Sequence, residues 1–484
     1  MADTDSHGSP YKYRQVIDLI AENIESGTLR PGDRLPSLRR MGERVGVSVP
    51  TVRQAYVELE RLRRVEARPK SGYYVRHVKR NDLVDPTGDP GARPVSCSCR
   101  TLMERVYDGI NHPDLVPLGI ANPSMARPAA KSLHRAMKRV MARAEERSLG
   151  YATTIGEPTL RRQIAYRYLD TLGVNVEPDE ICITNGGQEA LLLALSSVAA
   201  AGDVIAVEAP AYHGVLELID SLGMLAIEVR TCPEEGVMMS ALEETLSRHP
   251  VKACVFSTTI GNPLGVTMPD ADRKRLIELI EEYDVALIED DVYGELRFDG
   301  VRPMAAQFLE SNARILTCGS FSKSAAPGYR IGWIVAGDMI ETIERLKRAY
   351  SCSSGLLQQL TMAEFMASGD YERHLKNLRP ELKCNADRLS ALVAENFPPE
   401  TRTSKPDGGA VLWLELPENV DAETLFDNAI QAGISTLPGN LSSPRGAYGN
   451  FFRLSFGHPW CEATEDAVRW LGAEVHRMAA AGSQ

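Results

Sequence analysis

Apolar residues at Tyr13, Val16, Ile17, Ile20, Ala21 and Ile24 recur at i, i+3, i+4, i+7, i+8 and i+11. That spacing places them on one face of a helix, which Gly27 ends. After the turn at Arg30, Pro31, Gly32 and Asp33, a second helix is predicted from about Ser37, its N-cap, to Val45. A third starts at Ser48, tolerates Pro50 in its first turn, and has Val52, Ala55, Leu59 and Leu62 as its apolar face. Two helices separated only by Gly46 and Val47 have the spacing of a helix-turn-helix, whose second member lies in the DNA major groove. The run VEARPKSGYY, from Val65 to Tyr74, reads as two short strands about Lys70, Ser71 and Gly72. It would be a wing with a basic tip for the minor groove or the phosphates.

The periodicity then stops. Pro86, Gly88, Pro90, Gly91 and Pro94 interrupt residues 81–113, which read as a flexible linker with a short helix near Leu102 to Tyr107. From residue 114 to 484 short apolar runs alternate with helix-length segments. The runs are Asp179 to Thr184, Val204 to Glu208, Ala253 to Ser257, Val285 to Glu289 and Arg314 to Cys318. Strands spaced by helices predict a mainly parallel sheet covered on both faces, with function on the loops beyond the strand ends. The longest nearly apolar run, Ala190 to Ala201, is too short to span a bilayer.

The 484 residues exceed one ordinary core and imply several domains: 10–80, a linker over 81–113, and 114–484. Charge divides at the same place. Residues 10–80 hold 16 Lys and Arg against 8 Asp and Glu, so a net charge of −11 leaves −19 for the rest. A basic head on an acidic body is expected where only the head meets a polyanion. The start MADTDSHGSP has no basic n-region and no apolar h-region, and the nine scattered cysteines suit free thiols, so a cytoplasmic protein is expected. Cys97 and Cys99 form a lone CxC, and no metal site is expected.

Candidate chemistry gathers in LTCGSFSKSAAPGYRIGW, Leu316 to Trp333. A lysine among small and apolar residues, Lys323, can lose its proton and condense with an aldehyde. Ser320, Ser322 and Arg330 can hold a phosphate. Gly186, Gly187 and Gln188 lead into a helix and offer backbone N–H groups to an anion. Tyr212 can stack on an aromatic ring, and Asn262 can reach a phenolic oxygen. Asp290, ending the strand ALIED, can pair with a protonated pyridine nitrogen, with Tyr293 on the same loop. Arg453, within FFRLSFG, requires a carboxylate partner, structural or a substrate's own. Taken singly, each has a plainer reading as a turn, a cap, a core tyrosine or a surface charge.

The stretch PGDRLPSLRRMGERVGVSVPTVRQAYVEL followed by RPKSGYYV resembles the winged-helix head of the GntR family of bacterial regulators. By that resemblance Arg39, Ser48, Thr51, Arg53 and Gly72 contact double-stranded DNA. Many members carry an arginine just after the Ser48 position, where this chain has Val49, which weakens guanine readout there. Residues from about 114 to 470 resemble the fold-type I aminotransferases, which use pyridoxal 5'-phosphate. The motifs run in order: YATTIGEPTLRRQIAYRYL, ITNGGQEAL, EAPAYHG, GNPLG, IEDDVYGEL, SFSKSAAPGYRIGW and RLSFG. The implied fold is α/β with a mainly parallel central sheet and a smaller C-terminal α+β domain, behind an α+β winged helix-turn-helix. The resemblance implies that Lys323 forms the internal aldimine, Asp290 holds the pyridine nitrogen, Asn262 and Tyr293 bind the phenolic oxygen, and Tyr212 stacks on the ring. It further implies a phosphate held by Gly187, Gln188, Ser320, Ser322 and Arg330, with Tyr151 reaching it from the other subunit, and Arg453 on an amino acid's α-carboxylate. Asp290 is preferred over the adjacent Asp291 because the family places the tyrosine three residues after the acid. The turn from Leu118 through Asn122 to Pro123 resembles a loop near the substrate.

Head, linker and body in this order are similar to the MocR group of transcriptional regulators. That similarity implies a homodimer which binds DNA, and the signal expected is an amino-acid-like effector sensed through aldimine exchange at Lys323. A working aminotransferase carrying a DNA-binding head, or a sensor of the cofactor itself, fits the same residues.

Overall fold

A computed structural model describes residues 12–26, 28–68, 71–76, 81–84, 93–97, 100–110, 112, 114–121, 123, 127–309 and 311–481. Gly27, Lys70, Cys99, Pro113, Asn122 and the Pro86 to Gly91 stretch lie outside these residues. The chain separates into two compact units, residues 1–81 with 387–396, and residues 82–386 with 397–484.

In the head, helices span Lys12–Glu25, Leu38–Val45 and Val49–Arg61. The Ser37 hydroxyl accepts from the Arg40 N–H at 3.3 Å, and Gly46, at φ 71°, closes that helix in the left-handed region. Ser48 then caps the next helix, its Oγ accepting from the Thr51 N–H at 3.4 Å. Two caps back to back explain how three residues suffice for the turn between the helices. Val16 and Ile20 pack with Val52, Ala55, Tyr56 and Leu59 over Leu35, Met41, Val65 and Val75. Each fully buried side chain of this size stabilises by roughly 1.5–3 kcal/mol. The strands Val65–Arg68 and Gly72–Val75 pair antiparallel, and Arg34 pairs with Tyr74 to begin a third strand of the wing.

The body is built on an eight-stranded sheet. Its order is Ile181–Thr184, Gly332–Val335, Ile315–Ser320, Ala286–Asp290, Val251–Phe256, Val204–Ala209, Leu225–Cys232 and Gly236–Val237. Gly332–Val335 is antiparallel to both neighbours and the two-residue last strand is antiparallel to its one; the other contacts are parallel. One face is covered by the helix Gly187–Val198 and its neighbours, the other by Met239–Arg248 and Asp270–Glu282. The five predicted runs are strands with ends displaced by one or two residues; Asp179 and Glu180 belong instead to a short 3-10 turn. Three strands of this sheet were not legible as apolar runs. Leu225–Cys232 is interrupted by Glu228 and Arg230, Gly332–Val335 is only four residues long, and Gly236–Val237 only two. A second sheet of four strands, containing Val411–Glu415 and Phe451–Ser455, forms the smaller C-terminal domain with the helices Ala422–Gln431 and Glu462–Ala481.

Where described, residues 82–113 run against this body. Val84 is buried beside Trp413 and Phe451, and its N–H donates to Thr403 O. Val95 exchanges backbone hydrogen bonds with Ala226. A helix spans Arg100–Ile110, longer at both ends than predicted. Its Leu102, Met103 and Val106 pack on Phe426, Leu437 and Leu441. The apolar residues scattered between the prolines give this segment its anchors. Among the described residues no helix is long and apolar enough to cross a membrane, and no acidic, His or Cys cluster suits a metal.

Candidate functional site

Beyond the C-terminal ends of the parallel strands the predicted residues converge. Lys323 follows the strand Ile315–Ser320, and its Nζ lies 5.9 Å from the centre of the Tyr293 ring. Burial, then the nearby Arg453 and Arg330, push the amine down to about 7 against the pull of Asp290. Asp290 ends the adjacent strand and accepts from the Val292 N–H at 3.2 Å, while desolvation pushes its carboxyl up to about 6. The next acid is differently engaged. Asp291 is ion-paired with Arg302, which also binds Glu295, and Arg167 joins that buried cluster. Asp291 therefore serves the framework, and Asp290 is the acid that interacts with Lys323.

The glycines before Gly187–Val198 are imposed by close approach. Gly186 sits at φ 82°, and a Cβ there would lie 2.3 Å from the Arg330 guanidinium. A Cβ on Gly332 would lie 2.6 Å from the Gly186 carbonyl carbon. Gly187 and Gln188 form the first helical turn, whose N–H groups lack acceptors within the helix. Arg330, held in the left-handed region at φ 51°, donates to Ser322 Oγ and to Asn185 O, both at 3.2 Å. It has no carboxylate partner among the described residues. Ser320 Oγ accepts from the Ser322 N–H at 3.1 Å. Cationic, hydroxyl and backbone donors thus converge without an acid to neutralise them, which is the chemistry of a phosphate cradle.

Opposite lies Tyr212, which caps the helix His213–Ser221. Its ring folds over Gly214, where a Cβ would meet the ring carbon Cζ at 2.5 Å. Gln188 Nε2 donates to Gly214 O at 2.7 Å and ties the two helix starts together. Arg453 is 3% exposed, donates to Asn262 Oδ1 at 3.1 Å and to Gly119 O at 2.9 Å, and leaves its Nε without a partner. The Tyr293 hydroxyl is likewise buried without a partner. An unpaired buried donor costs about 1–3 kcal/mol, which a ligand accepting from it would offset. Tyr151 is 89% exposed and contributes nothing to this site within its own chain.

Four residues near the site escaped the sequence reading. His213, buried beside Tyr212, is held well below its ordinary value by burial and then by Arg453 and Lys323. Glu208 accepts from the Ser257 N–H at 2.5 Å, and burial pushes its carboxyl up to about 8. Tyr107 and Glu217 pair at the rim. His213 and Glu208 lie within the quoted EAPAYHG motif and were overlooked there. Nothing in the sequence links Tyr107 to Glu217, which is 110 residues away.

In the head, Arg39 and Arg53 are exposed on the second and third helices, Ser48 and Thr51 open the third, and Gly72 begins the second wing strand at φ 112°. Val49 is exposed beside Ser48.

Residues 113–466 match the profile of aminotransferase class I and II, and residues 12–75 that of the bacterial regulatory proteins of the gntR family. Together they define a DNA-binding regulator carrying an aminotransferase-like body. The chain belongs to the MocR-type transcriptional regulators, in which these two families are fused in this order. It is 36% identical over 469 residues to the uncharacterized HTH-type transcriptional regulator YjiR of Escherichia coli (strain K12), a match covering 96% of this chain and 99% of that one. It is 30% identical over 349 residues to a 2-aminoadipate transaminase of Thermus thermophilus, covering 71% of this chain and 86% of that enzyme. Among solved structures it is similar to the α-aminoadipate aminotransferase LysN, also of Thermus thermophilus, complexed with N-(5'-phosphopyridoxyl)-L-leucine. There the TM-score is 0.71 at 27% identity, over 79% of this chain and 99% of that one. The kynurenine aminotransferase of Pyrococcus horikoshii, solved with PMP, gives a TM-score of 0.71 at 28% identity, over 78% of this chain and 94% of that one.

Proposed function

We propose that the body binds pyridoxal 5'-phosphate at Lys323 and senses an amino compound there, changing how the head engages DNA. The observation that carries the reading is the set of unneutralised donors around Lys323: the Arg330 guanidinium, the Tyr293 hydroxyl and the Arg453 Nε. The residues fit the cofactor. Gly187, Gln188, Ser320, Ser322 and Arg330 would hold its phosphate, with Tyr151 added from a second subunit in a homodimer. Asp290 would face the pyridine nitrogen, Tyr212 would stack on the ring, and Tyr293 and Asn262 would donate to the phenolic oxygen. When bound, the cofactor supplies an aldehyde that condenses with primary amines.

The chain's own groups prepare that exchange. An amine near neutrality at Lys323 can both bond and leave, because its proton is held weakly beside Arg453 and Arg330. Asp290 at about 6 is largely ionised at neutral pH and can hold a proton on a facing ring nitrogen. Arg453 would clamp the effector's carboxylate. The effector moves the equilibrium between arrangements of the protein only by its difference in affinity for them.

The test is Lys323→Ala in full-length protein, with DNA affinity measured against added amino acid. The wild type responds and the variant binds DNA without responding; an unchanged response in the variant overturns the reading. Absorbance followed with a keto acid present separates the other readings. Sustained turnover would identify a transaminase, and a DNA response to cofactor alone would identify a sensor of the cofactor.

A further inference from the structure

The helix Arg100–Ile110 has one side fixed to the smaller domain by Leu102, Met103 and Val106, with Arg105 paired to Asp427 and, at 3.8 Å, to Glu423. From this helix the Tyr107 hydroxyl donates to Glu217 Oε2 at 3.0 Å. Glu217 stands on the helix His213–Ser221, five residues after Tyr212. One turn before Glu217 on that helix is His213, whose ring meets the Tyr212 ring edge-on with centroids 4.8 Å apart. The pair therefore borders the site where Arg453 would hold a carboxylate and Lys323 would exchange with an amine.

Glu217 forms no ion pair among the described residues, and only its Oε2 has a protein partner there. Arg105 is paired with Asp427 and Glu423, and in the function proposed above Arg453 would be taken by the α-carboxylate and Arg330 by the phosphate. An α-amino acid placed by its amine and carboxylate has only its side chain left to extend to this rim. An acidic side chain would meet a carboxylate there and, among the described residues, no uncommitted arginine or lysine.

Resting on the sensing function proposed above, we infer that Glu217 and Tyr107 form a subsite for the far end of the effector, which is an α-amino acid with a cationic side chain. A protonated amine would donate to Glu217, whose orientation the Tyr107 hydroxyl fixes. Because Glu217 is half-exposed, solvent weakens the contact, and the advantage over an uncharged chain of equal length is about fivefold.

The experiment uses full-length protein loaded with pyridoxal 5'-phosphate. The absorbance change is titrated with L-lysine, L-ornithine, L-norleucine and L-2-aminoadipate, in the wild type and in Glu217→Gln. Lysine or ornithine should bind about fivefold more tightly than norleucine, and aminoadipate more weakly. The Glu217→Gln variant should bring lysine and norleucine within about twofold of each other. Tyr107→Phe should reduce the preference by a smaller factor. Equal binding of lysine and norleucine in the wild type, tighter binding of aminoadipate, or a preference that survives Glu217→Gln overturns the subsite and leaves amine sensing standing. If no amino acid, norleucine included, changes the spectrum, the sensing function falls and the subsite with it.

Discussion

Arg453 donates to Asn262 Oδ1 across 3.1 Å. An arginine has only donors, so this contact fixes which way the amide faces and leaves Asn262 Nδ2 as the donor for anything bound beyond it. The group that would grip an effector's carboxylate therefore also orients a group that would grip the cofactor.

Replacing that arginine should cost recognition of the carboxylate. A charge-assisted hydrogen bond is worth about 1.5–3 kcal/mol, or roughly 10- to 150-fold in affinity. Absorbance titration of the cofactor-loaded protein with norleucine and with pentylamine, its counterpart without the carboxylate, checks this. Wild type should favour norleucine by at least about tenfold, and Arg453→Gln should remove most of that advantage.

Cofactor uptake should depend on pH through Lys323. Condensation requires the neutral amine, so the rate at which protein freed of cofactor takes up pyridoxal 5'-phosphate should rise through about 7 and level off above it. Arg453 favours the neutral form by repulsion; its removal raises the amine's pKa. Arg453→Gln should accordingly move the midpoint to higher pH. A stopped-flow series across pH reads both midpoints.

Neighbouring acids should behave oppositely. Asp291 is 5% exposed in its ion pair with Arg302, and breaking a buried pair costs about 3–5 kcal/mol because the remaining charge is stranded. Asp291→Asn should lower the thermal midpoint by several degrees. Burial raises both carboxyls, but Asp290 makes no ion pair among the described residues, so Asp290→Asn should leave the midpoint near that of wild type while weakening cofactor binding. Thermal scans and cofactor titrations of the two variants give the comparison.

Binding to a mixed-sequence duplex isolates the electrostatic part of DNA recognition. If Arg53 meets a phosphate, Arg53→Ala should reduce the slope of log affinity against log salt by about 1, and Arg39→Ala should do the same. Ser48→Ala removes a helix cap and should cost about 1 kcal/mol of head stability. Fluorescence anisotropy at several salt concentrations, with denaturation of the head followed separately, measures each.

The head was legible almost to the residue because its signals are local. Ser37 and Ser48 cap, Gly46 turns, and the apolar period holds through Ile24. The strand ends carrying Asp290 and Lys323 were legible too, since each apolar run stops where its polar loop begins. The preference for Asp290 over Asp291 came from the spacing of a resemblance; its physical counterpart needed the fold, which alone brings Arg302 to Asp291. Tyr107 was the hardest to see. It sits in a segment whose prolines and glycines argued for a linker, and its partner Glu217 was on a helix with no unusual feature.

Val95 exchanges backbone hydrogen bonds with Ala226, on the outer side of Leu225–Cys232. A sheet of eight strands must end somewhere, and an open edge is a template for any extended chain that meets it. Here the edge is shared between Val95 and the short strand Gly236–Val237. The segment that joins head to body is thus also the sheet's guard against self-association, so mutations chosen to loosen the joint would trade solubility for freedom.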